Sequence, residues 1–516
     1  MLITEMVARN SRLYGTEIAL VERAPARWGR KEITWSQFDD QANRIANWLI
    51  KKGVKKGDTV VHLMMNCLEW LPAYFGILRT GALAVPLNFR FDGRMLKRCA
   101  QVVNAKVFIF SEEFIERVDA IKDDLQSVES FVFLGPEQMR PAYAQSYEAL
   151  LASAEGASPG ISLDSADDAG LYFTSGTTGA PKAILLTHGN LESACHAENR
   201  HHQQTHEDNF LCIPPLYHTG AKMHWFGNLL VGAKAVILKG VEPRWILEAI
   251  SEEKVTIVWL LVPWATDILF AIQNGDVNLA DYQLSQWRLM HIGAQPVPPS
   301  LVMEWKQVFP NHQYDTNYGL TECTGPGCVH LGVENIHKVG AIGVPGFGYE
   351  IMIVDPMAKR IPEGEIGELA IRGPGVMKEY FNNPEATGEV LKEGWLLTGD
   401  MARRDEDGFI WLVDRKKDVI ITGGENIYPV EIEDFLQAHP DIQDVAVIGM
   451  ASLRLGEIAT AVVQVKPGRE LTEQALNSFC EELPRYKRPR KIIFGPVPRN
   501  PTGKIEKPKL RKMYEA

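Results

Sequence analysis

An alternation of strand and helix patterns in the first hundred residues most constrains the fold. Residues 58–65 form an apolar run typical of a strand. Residues 68–80 then carry Leu71, Phe75 and Leu78 at helical spacing, and residues 82–87 are strand-like again. This order predicts an α/β fold in which helices cover a parallel sheet. Further short runs rich in strand-forming residues occur at 106–110, 130–134, 255–262 and 288–292.

The pattern changes after about residue 349. Short strand-like runs joined by turns occupy residues 349–354, 366–372 and 409–413. The charged run at 414–418 is followed by about a hundred residues with their own strand and helix pattern. We therefore predict two domains, 1–414 and 415–516, although an ordinary surface turn would give the same charged run.

The charge and the cysteines restrict the class of protein. With 54 basic and 65 acidic residues the net charge is −11, which argues against general binding to nucleic acid or to anionic membranes. No apolar run approaches the roughly 20 residues that a membrane span needs. The seven cysteines are scattered and odd in number, which indicates reduced thiols and a cytoplasmic protein. The N-terminus has no signal-peptide pattern.

The most informative segment spans residues 172–182. Thr174, Ser175, Gly176, Thr177, Thr178 and Gly179 place four hydroxyls and two glycines in six positions. Glycine lets backbone N–H groups approach an anion, hydroxyls donate to phosphate oxygens, and Lys182 adds a positive charge. Pro181 stands where a Walker A loop has glycine, so the segment is a different phosphate loop, or else a structural turn rich in Ser and Thr.

This loop and the motifs that follow it resemble the adenylate-forming superfamily, which holds acyl-CoA synthetases, luciferases and peptide-synthetase adenylation domains. The motifs keep the family's order across nearly the whole chain. They are Pro215-Leu216-Tyr217-His218, Gly293-Ala294-Gln295-Pro296, Asn317-Tyr318-Gly319-Leu320-Thr321-Glu322, Gly367-Glu368-Leu369, Trp395-Leu396-Leu397-Thr398-Gly399-Asp400, Asp414-Arg415-Lys416-Lys417-Asp418, Gly423-Gly424-Glu425-Asn426 and Pro501-Thr502-Gly503-Lys504.

The resemblance implies a large N-terminal domain of parallel-type sheets with helices and a small β-barrel-like part. A smaller, mobile α+β domain would follow it. The implied reaction joins a carboxylic acid to coenzyme A through an acyl adenylate, using ATP and Mg²⁺. Medium-chain, alicyclic and aryl acids are the expected substrates.

The resemblance also assigns roles in ATP binding. Glu322 matches the magnesium ligand, and Thr178 and Thr321 match hydroxyls that hold phosphate. Asp400 would accept hydrogen bonds from the ribose, with Arg415 as its cationic neighbour. The full expected ATP set is Thr174, Ser175, Gly176, Thr177, Thr178, Gly179, Lys182, Gly293, Ala294, Gln295, Pro296, Asn317, Tyr318, Gly319, Thr321, Asp400, Arg415 and Lys504.

The C-terminal motifs imply a second group of roles. Lys504 resembles the lysine that bridges the substrate carboxylate and the α-phosphate; outside its motif it would be an ordinary solvated charge. Lys417 stands at the family's hinge, and Gly423 and Gly424 would line the path of the CoA arm. Basic residues outnumber acidic ones between 485 and 512, which indicates either a solvated tail or a patch for the phosphates of CoA.

The acyl pocket is expected, by position, at His218, Trp225, Gly319 and Gly325. The catalytic set would then be Lys504, Glu322, Thr178 and His218, with Glu322 as the metal ligand. His218 could instead be an ordinary core histidine. A second group of histidines, which could suggest a metal cluster, is predicted to lie on a solvated helix and loop: His196, His201, His202 and His206.

Three alternatives to the CoA ligase stay open. A stand-alone adenylation enzyme would pass its acyl group to a separate carrier protein. A luciferase-like oxygenase would share the adenylation step, and a nucleotide-binding scaffold would lack turnover. The expected partners are the acid, ATP and CoA, with no nucleic acid and no membrane span, and the sequence is compatible with a homo-oligomer.

Overall fold

The computed structural model describes residues 1–27, 29–174, 182–293, 297–330, 337–423, 425–499 and 505–514. By its contacts the chain divides into two units. The first contains Met1–Ile351 and Ile371–Leu396, and the second contains Met352–Ala370 and Leu397–Ala516.

The α-helices of the described residues are numbered in chain order. They are α1 Ile3–Tyr14, α2 Trp35–Lys51, α3 Trp70–Arg79, α4 Gly93–Val102, α5 Ile115–Asp119, α6 Tyr147–Ser153, α7 His188–His202, α8 Thr219–Val231, α9 Pro243–Glu253, α10 Val262–Gln273, α11 Pro299–Val308, α12 Pro384–Val390, α13 Pro429–Gln437, α14 Glu473–Phe479 and α15 Lys507–Tyr514. None of these described helices is long and apolar enough to cross a membrane.

The strands are numbered in the same way. They are β1 Ile18–Ala24, β2 Gly29–Thr34, β3 Thr59–Leu63, β4 Leu83–Pro86, β5 Val107–Ser111, β6 Ser130–Leu134, β7 Ala144–Ser146, β8 Asp168–Thr174, β9 Lys182–Thr187, β10 Asn209–Cys212, β11 Lys234–Leu238, β12 Ile257–Leu261, β13 Leu289–Gly293, β14 Gln313–Tyr318, β15 Cys328–His330, β16 Val344–Pro345, β17 Glu350–Val354, β18 Gly367–Arg372, β19 Glu379–Tyr380, β20 Leu391–Lys392, β21 Trp395–Arg404, β22 Ile410–Arg415, β23 Ile420–Thr422, β24 Glu425–Ile427, β25 Ile442–Ser452, β26 Gly456–Val465 and β27 Lys491–Phe494.

Two large sheets build the first unit. One has the order β16-β15-β14-β13-β12-β10-β11-β1-β2, and the other has the order β19-β9-β8-β4-β3-β5-β6-β7. The inner strands of both sheets run parallel. Antiparallel pairs close both edges of the first sheet and the β19 edge of the second, whose other edge is the parallel pair β6 and β7. The predicted strand–helix–strand unit is confirmed as β3-α3-β4, with β3 and β4 parallel.

The burial of β3, α3 and β4 explains why their secondary structure could be predicted from the sequence. Every residue of β3, α3 and β4 is buried. A parallel sheet covered on both faces needs such continuous apolar strands, and a helix buried all round is apolar all round. At Gly76 of α3 an added Cβ would lie 2.6 Å from Ile45 of α2, so glycine permits the close approach of these two helices.

The smaller sheets lie mainly in the second unit, and β20 belongs to the first. A half-barrel sheet of order β17-β18-β21-β20, with β22 beside β21, confirms the expected barrel-like part; the division of the chain falls within β17, β18 and β21. A further sheet of order β24-β23-β26-β25, with β27 beside β26, carries α13, α14 and α15. Its core includes Ile432, Leu436 and Val447, all buried. This part is the expected C-terminal α+β fold.

Candidate functional site

The predicted phosphate loop connects two strands of one hairpin. β8 and β9 pair antiparallel, and Thr174 lies opposite Lys182 in their register. The two flanking residues of the loop therefore stand side by side. The predicted residues between them lie outside the described part of the chain: Ser175, Gly176, Thr177, Thr178 and Gly179.

Tyr380 brings the predicted lysine and the predicted metal ligand together. Its hydroxyl donates to Oε1 of Glu322 at 2.9 Å, and Lys182 Nζ lies 4.6 Å from the centroid of its ring. Burial, followed by the negative charge of Glu322, raises the pKa of Tyr380 well above its usual value, so the hydroxyl keeps its proton. The Lys182 ammonium and the Glu322 carboxylate, from distant segments of the chain, thus both contact the Tyr380 side chain.

Tyr380 was missed by the sequence analysis. It belongs to the two-residue strand β19, which pairs with β9 so that Tyr380 lies opposite Ile184. This pairing carries Tyr380 to the strand that begins with Lys182. A two-residue strand leaves no periodic signal in a sequence, and only knowledge of the pairing could have identified the residue.

A tight turn holds Glu322. It lies in the 3-10 turn Thr321–Cys323 after β14, and its backbone oxygen accepts from the N–H of Met377 at 2.7 Å. Tyr349 donates its hydroxyl to the backbone oxygen of Cys323 at 2.8 Å. The carboxylate is thereby fixed through both its side chain and its backbone.

Two predicted pocket glycines lie at the same turn and are in mutual contact. A Cβ on Gly319 would lie 2.9 Å from the backbone oxygen of Gly325, and a Cβ on Gly325 would lie 2.7 Å from the Tyr349 hydroxyl. Real Cβ atoms do not approach other atoms so closely. The backbone of Gly325 therefore requires glycine at position 319, and the Tyr349 hydroxyl requires glycine at position 325.

The first turn of α8 approaches Thr321. His218 is the residue before the helix and is half-buried. The hydroxyl of Thr219 donates to that of Thr321 at 3.4 Å. Inside the same turn Lys222 is buried, and its Nζ donates to the backbone oxygens of Leu216 and His218 at 3.1 Å each. The structure thus brings His218 and Thr321 into one neighbourhood.

Trp225 is not where the sequence analysis expected it. Its ring is fully buried against Phe38 of α2 and Phe75 of α3, with centroid distances of 6.2 and 5.9 Å. The preceding residue, His224, is rotated about 100° around the helix and faces Trp259 instead, at a centroid distance of 4.3 Å. Since α8 is buried on most sides, its sequence carries no polar face from which the orientation could be read.

The expectation that four histidines lie on a solvated helix and loop is wrong for two of them. His201 and His202 are buried, whereas His196 and His206 stay partly exposed. The buried pair belongs to a cluster, here called the histidine cluster, that contains Glu198, His201, His202, His224, His291 and Asp315.

Two carboxylates organise the histidine cluster. Glu198 Oε2 lies 3.1 Å from His224 Nδ1, and Asp315 Oδ2 lies 3.2 Å from His202 Nε2. Asp315 Oδ1 also forms a very short contact with Nδ1 of His291. The carboxylates thus lie within ion-pair distance of the imidazole nitrogens, and Asp315 also forms a hydrogen bond with His291, which indicates a coupled charge network.

Charges within the histidine cluster settle the protonation states. Burial acts to raise the pKa of Glu198, but His224 and His202 outweigh it and lower that pKa to about 2. Burial lowers the pKa of His291 to about 3. For His202, Asp315 outweighs burial and raises the pKa. Near neutral pH the cluster therefore contains two carboxylates and neutral His291.

The histidine cluster also supports a predicted ATP residue. Asn317 at the end of β14 donates its side-chain amide to Glu198 Oε1 at 3.3 Å. Tyr318 follows and is buried, while Gly293 ends the neighbouring strand β13. Ala294, Gln295 and Pro296 lie outside the described residues.

In the second unit the structure pairs Asp400 with Arg415. The two residues lie opposite each other on β21 and β22, and Arg415 Nε is 3.3 Å from Asp400 Oδ1. Asp400 is buried and Arg415 is exposed. Lys416 binds Glu368 Oε2 at 2.7 Å, and the N–H of Gly399 donates to Oε1 of the same carboxylate.

The structure describes only two of the four remaining C-terminal residues that were assigned a role. Lys417 is exposed in the turn between β22 and β23. Gly423 has a φ of 59°, in the left-handed region that favours glycine. Gly424 and Lys504 lie outside the described residues.

Comparison with known proteins gives a consistent result. The sequence model of the family described as AMP-binding enzyme matches residues 8–381, and that of the AMP-binding enzyme C-terminal domain matches residues 431–504. The chain is 32% identical over 492 residues to a feruloyl-CoA synthase from Amycolatopsis sp, covering 95% of each chain. It is 31% identical to a long-chain-fatty-acid–CoA ligase, FadD13, from Mycobacterium tuberculosis, covering 94% of this chain and 93% of the relative.

A solved structure agrees with these relatives. An anthranilate CoA ligase in complex with anthranoyl-AMP superimposes with a TM-score of 0.87 at 26% identity, covering 99% of this chain and 97% of that one. The chain therefore belongs to the AMP-binding enzyme family, in its acyl-CoA synthetase branch.

Proposed function

We propose that this enzyme joins a medium-chain, alicyclic or aryl carboxylic acid to coenzyme A, with ATP cleaved to AMP and pyrophosphate. The observation that carries the proposal is the meeting of Lys182 and Glu322 at Tyr380, described above. A polyphosphate needs both a cation for its oxygens and a carboxylate for its metal ion. These two groups converge beside the hairpin that carries the phosphate loop.

The donor at Glu322 fits Mg²⁺. Magnesium prefers one or two carboxylates together with phosphate oxygens and water, and Glu322 is a half-buried carboxylate held by Tyr380. When bound, Mg²⁺ would neutralise charge on the phosphates. Lys182 and the loop hydroxyls would bind the remaining phosphate oxygens.

In the first half-reaction the substrate carboxylate attacks the α-phosphate and pyrophosphate leaves. Both reactants are anions, so positioning and charge neutralisation lower the barrier. We assign this neutralisation to Lys504. Asp400 would accept hydrogen bonds from the ribose, oriented by its ion pair with Arg415.

In the second half-reaction the CoA thiol displaces AMP from the acyl adenylate. We assign residues 415–516 to a body that turns at Lys417 between the two half-reactions. Exposure of Lys417 supports a hinge, because an exposed turn can change its backbone angles without disturbing a core. Gly423 and Gly424 would let the narrow CoA arm pass close to the backbone.

The range of acids rests on the relatives. Those named above are a feruloyl-CoA synthase, an anthranilate CoA ligase and a fatty-acid ligase, so aryl and aliphatic acids both occur among similar chains. We also place the enzyme in the cytoplasm, since all seven cysteines are free and buried.

Pyrophosphate release with ATP and Mg²⁺, across a panel of acids with and without CoA, tests the proposal. Mass spectrometry should find AMP and the acyl-CoA for one class of acids. Pyrophosphate without any acyl-CoA would instead favour transfer to a carrier protein. No pyrophosphate with any acid would refute adenylation.

Replacing Lys504 separates the two half-reactions. Lys504→Ala should lower the rate of adenylate formation on the order of 10²–10³-fold, because a preorganised charge is lost. Conversion of synthetic acyl-AMP to acyl-CoA should persist. Lys509→Ala, which removes an exposed lysine nearby in the sequence, is the matched control. Equal damage to both half-reactions in Lys504→Ala would contradict the two-pose mechanism.

A further inference from the structure

Lys222 is a buried lysine that no carboxylate compensates. It lies in α8 with 1% of its surface exposed. In the part of the chain that the structure describes, burial alone shifts its pKa, downward, and no acidic side chain offsets this shift. Lysine is almost never fully buried unless it is paired. Side chains that break such a rule are expected mainly where function requires them, so the contacts of Lys222 need an explanation.

The amine of Lys222 binds the backbone segment that precedes α8. Its Nζ donates to the backbone oxygens of Leu216 and His218 at 3.1 Å each. The oxygen of His218 also accepts from the backbone N–H of Lys222 at 3.4 Å. Residues 213–218 are here called the His218 turn. The side chain of Lys222 thus ties the end of this turn to the helix that follows it.

Asn66 holds the same turn at its other end. Its side-chain amide donates to the backbone oxygens of Ile213 and Pro214 at 3.3 and 3.0 Å. Its Oδ1 accepts from the N–H of Leu216 at 2.8 Å. Asn66 is buried and follows β3, so it connects the His218 turn to the sheet. Two buried side chains from different segments therefore fix the backbone of one short turn.

Lys222 also contacts the strand that leads to the predicted phosphate loop. Its Nζ lies 4.7 Å from the ring centroid of Tyr172, and 5.5 and 5.6 Å from those of Trp70 and Tyr74. The hydroxyls of Tyr172 and Tyr74 are hydrogen-bonded at 2.7 Å. Aromatic faces attract a cationic amine. Since Tyr172 belongs to β8, Lys222 joins the His218 turn to that strand.

We propose that Lys222 is a positioning residue for the acid, holding the His218 turn, with Asn66 as the second anchor, in a fixed place relative to β8. His218 was expected at the mouth of the acyl pocket, and the loop after β8 was expected to bind phosphate. A carboxylate that attacks a phosphate must be held in one orientation towards it. Lys222 contacts neither reactant and acts through the backbone of the turn. The inference rests on the proposed function, because it assigns a role in the same reaction.

A pair of lysine variants tests the proposal by kinetics. Lys222→Met keeps a side chain of similar length without its donors, so kcat/KM for the acid should fall about tenfold, chiefly through KM, while KM for ATP stays within about twofold. Lys234→Met is the matched control: Lys234 on β11 is half-buried, and its Nζ donates to the backbone oxygen of Glu253 at 3.1 Å. This control should change neither KM. An unchanged KM for the acid in Lys222→Met, or an equal rise for both substrates, would overturn the proposal.

Asn66→Ala keeps the proposal testable if Lys222→Met does not fold. The variant removes the acceptor of the Leu216 N–H and both donors to the start of the His218 turn. It should therefore show the same split, with a higher KM for the acid and nearly unchanged KM for ATP. A KM for the acid equal to that of the wild type would mean that the reaction does not depend on an anchored turn.

Hydrogen exchange separates this inference from the proposed function, because it needs no turnover. In Lys222→Met the backbone amides of Leu216 and His218 should exchange about tenfold faster or more, whereas those of β3 and those of Lys234→Met should match the wild type. Faster exchange combined with no pyrophosphate release by the wild-type enzyme would retain the anchored turn and refute the ligase reaction. Pyrophosphate release by the wild type, with exchange unchanged in Lys222→Met, would retain the ligase and refute the role of Lys222.

Discussion

Removing the hydroxyl of Tyr380 is the most direct test of the geometry around Glu322. Tyr380→Phe deletes the 2.9 Å hydrogen bond to the carboxylate but keeps the ring beneath Lys182. The substitution therefore separates the orientation of Glu322 from the position of the lysine. If Glu322 binds Mg²⁺, a less oriented carboxylate should bind MgATP more weakly.

The size of the effect follows from the burial of the two partners. A hydrogen bond to a charged group contributes about 1.5–3 kcal/mol in proteins. Tyr380 is buried, but Glu322 is only half-buried and keeps contact with water, so the lower end of that range applies. About 1.5 kcal/mol corresponds to a roughly tenfold loss of kcat/KM for ATP.

Steady-state pyrophosphate release at varied ATP and Mg²⁺ measures this loss. High Mg²⁺ should restore part of it, because mass action compensates for a weaker metal site. Tyr314→Phe is the matched control, since Tyr314 is buried on β14 and its hydroxyl has no described partner. A Tyr380→Phe enzyme within twofold of the wild type at every Mg²⁺ concentration would refute the role given to Tyr380.

Two further predictions concern buried charges. Burial lowers the pKa of Lys222, so between that pKa and the usual 10.5 the unfolded chain binds a proton that the folded chain does not. The free energy of unfolding should then rise with pH by up to about 1.4 kcal/mol per unit, and urea titrations at pH 7.5 and 9.5 should show a smaller rise for Lys222→Met. Equal slopes would contradict the pKa. Glu198→Gln removes the charge that His202 and His224 face, so the free energy of unfolding in urea should fall by about 3 kcal/mol. The control Glu192→Gln, on the same helix, should lower it by less than about 1 kcal/mol. A loss below 1 kcal/mol for Glu198→Gln would show that the cluster is not strongly coupled.

The parts of the fold that could be predicted are those whose signal is local. β3, α3 and β4 are wholly buried. Their apolar runs therefore predict both the kind of secondary structure and its burial in the core. Asp400 and Arg415 were expected together because each belongs to a recognised motif. In the structure the register of β21 and β22 places Asp400 opposite Arg415.

The orientation of a buried helix is a different kind of information. α7 carries polar residues on all sides, and we expected solvent around His201 and His202. The structure instead covers them, because Glu198 on their own helix and Asp315 on β14 supply charged partners. A histidine run gives no sign of the second partner, since Asp315 lies more than a hundred residues away in the sequence.

Tyr380 and Trp259 show where sequence motifs stop being informative. The family's motifs include Lys182 and Glu322, which the resemblance assigns to ATP and its metal ion, but omit the tyrosine that lies between them. Trp259 and His291 belong to none of the family's motifs, and each alone is an ordinary buried aromatic residue. Only the pairing of β12, β13 and β14 brings their unpaired nitrogens to one glycine. The surroundings of a buried aromatic residue in this fold therefore depend on strand pairing, which the motifs do not describe.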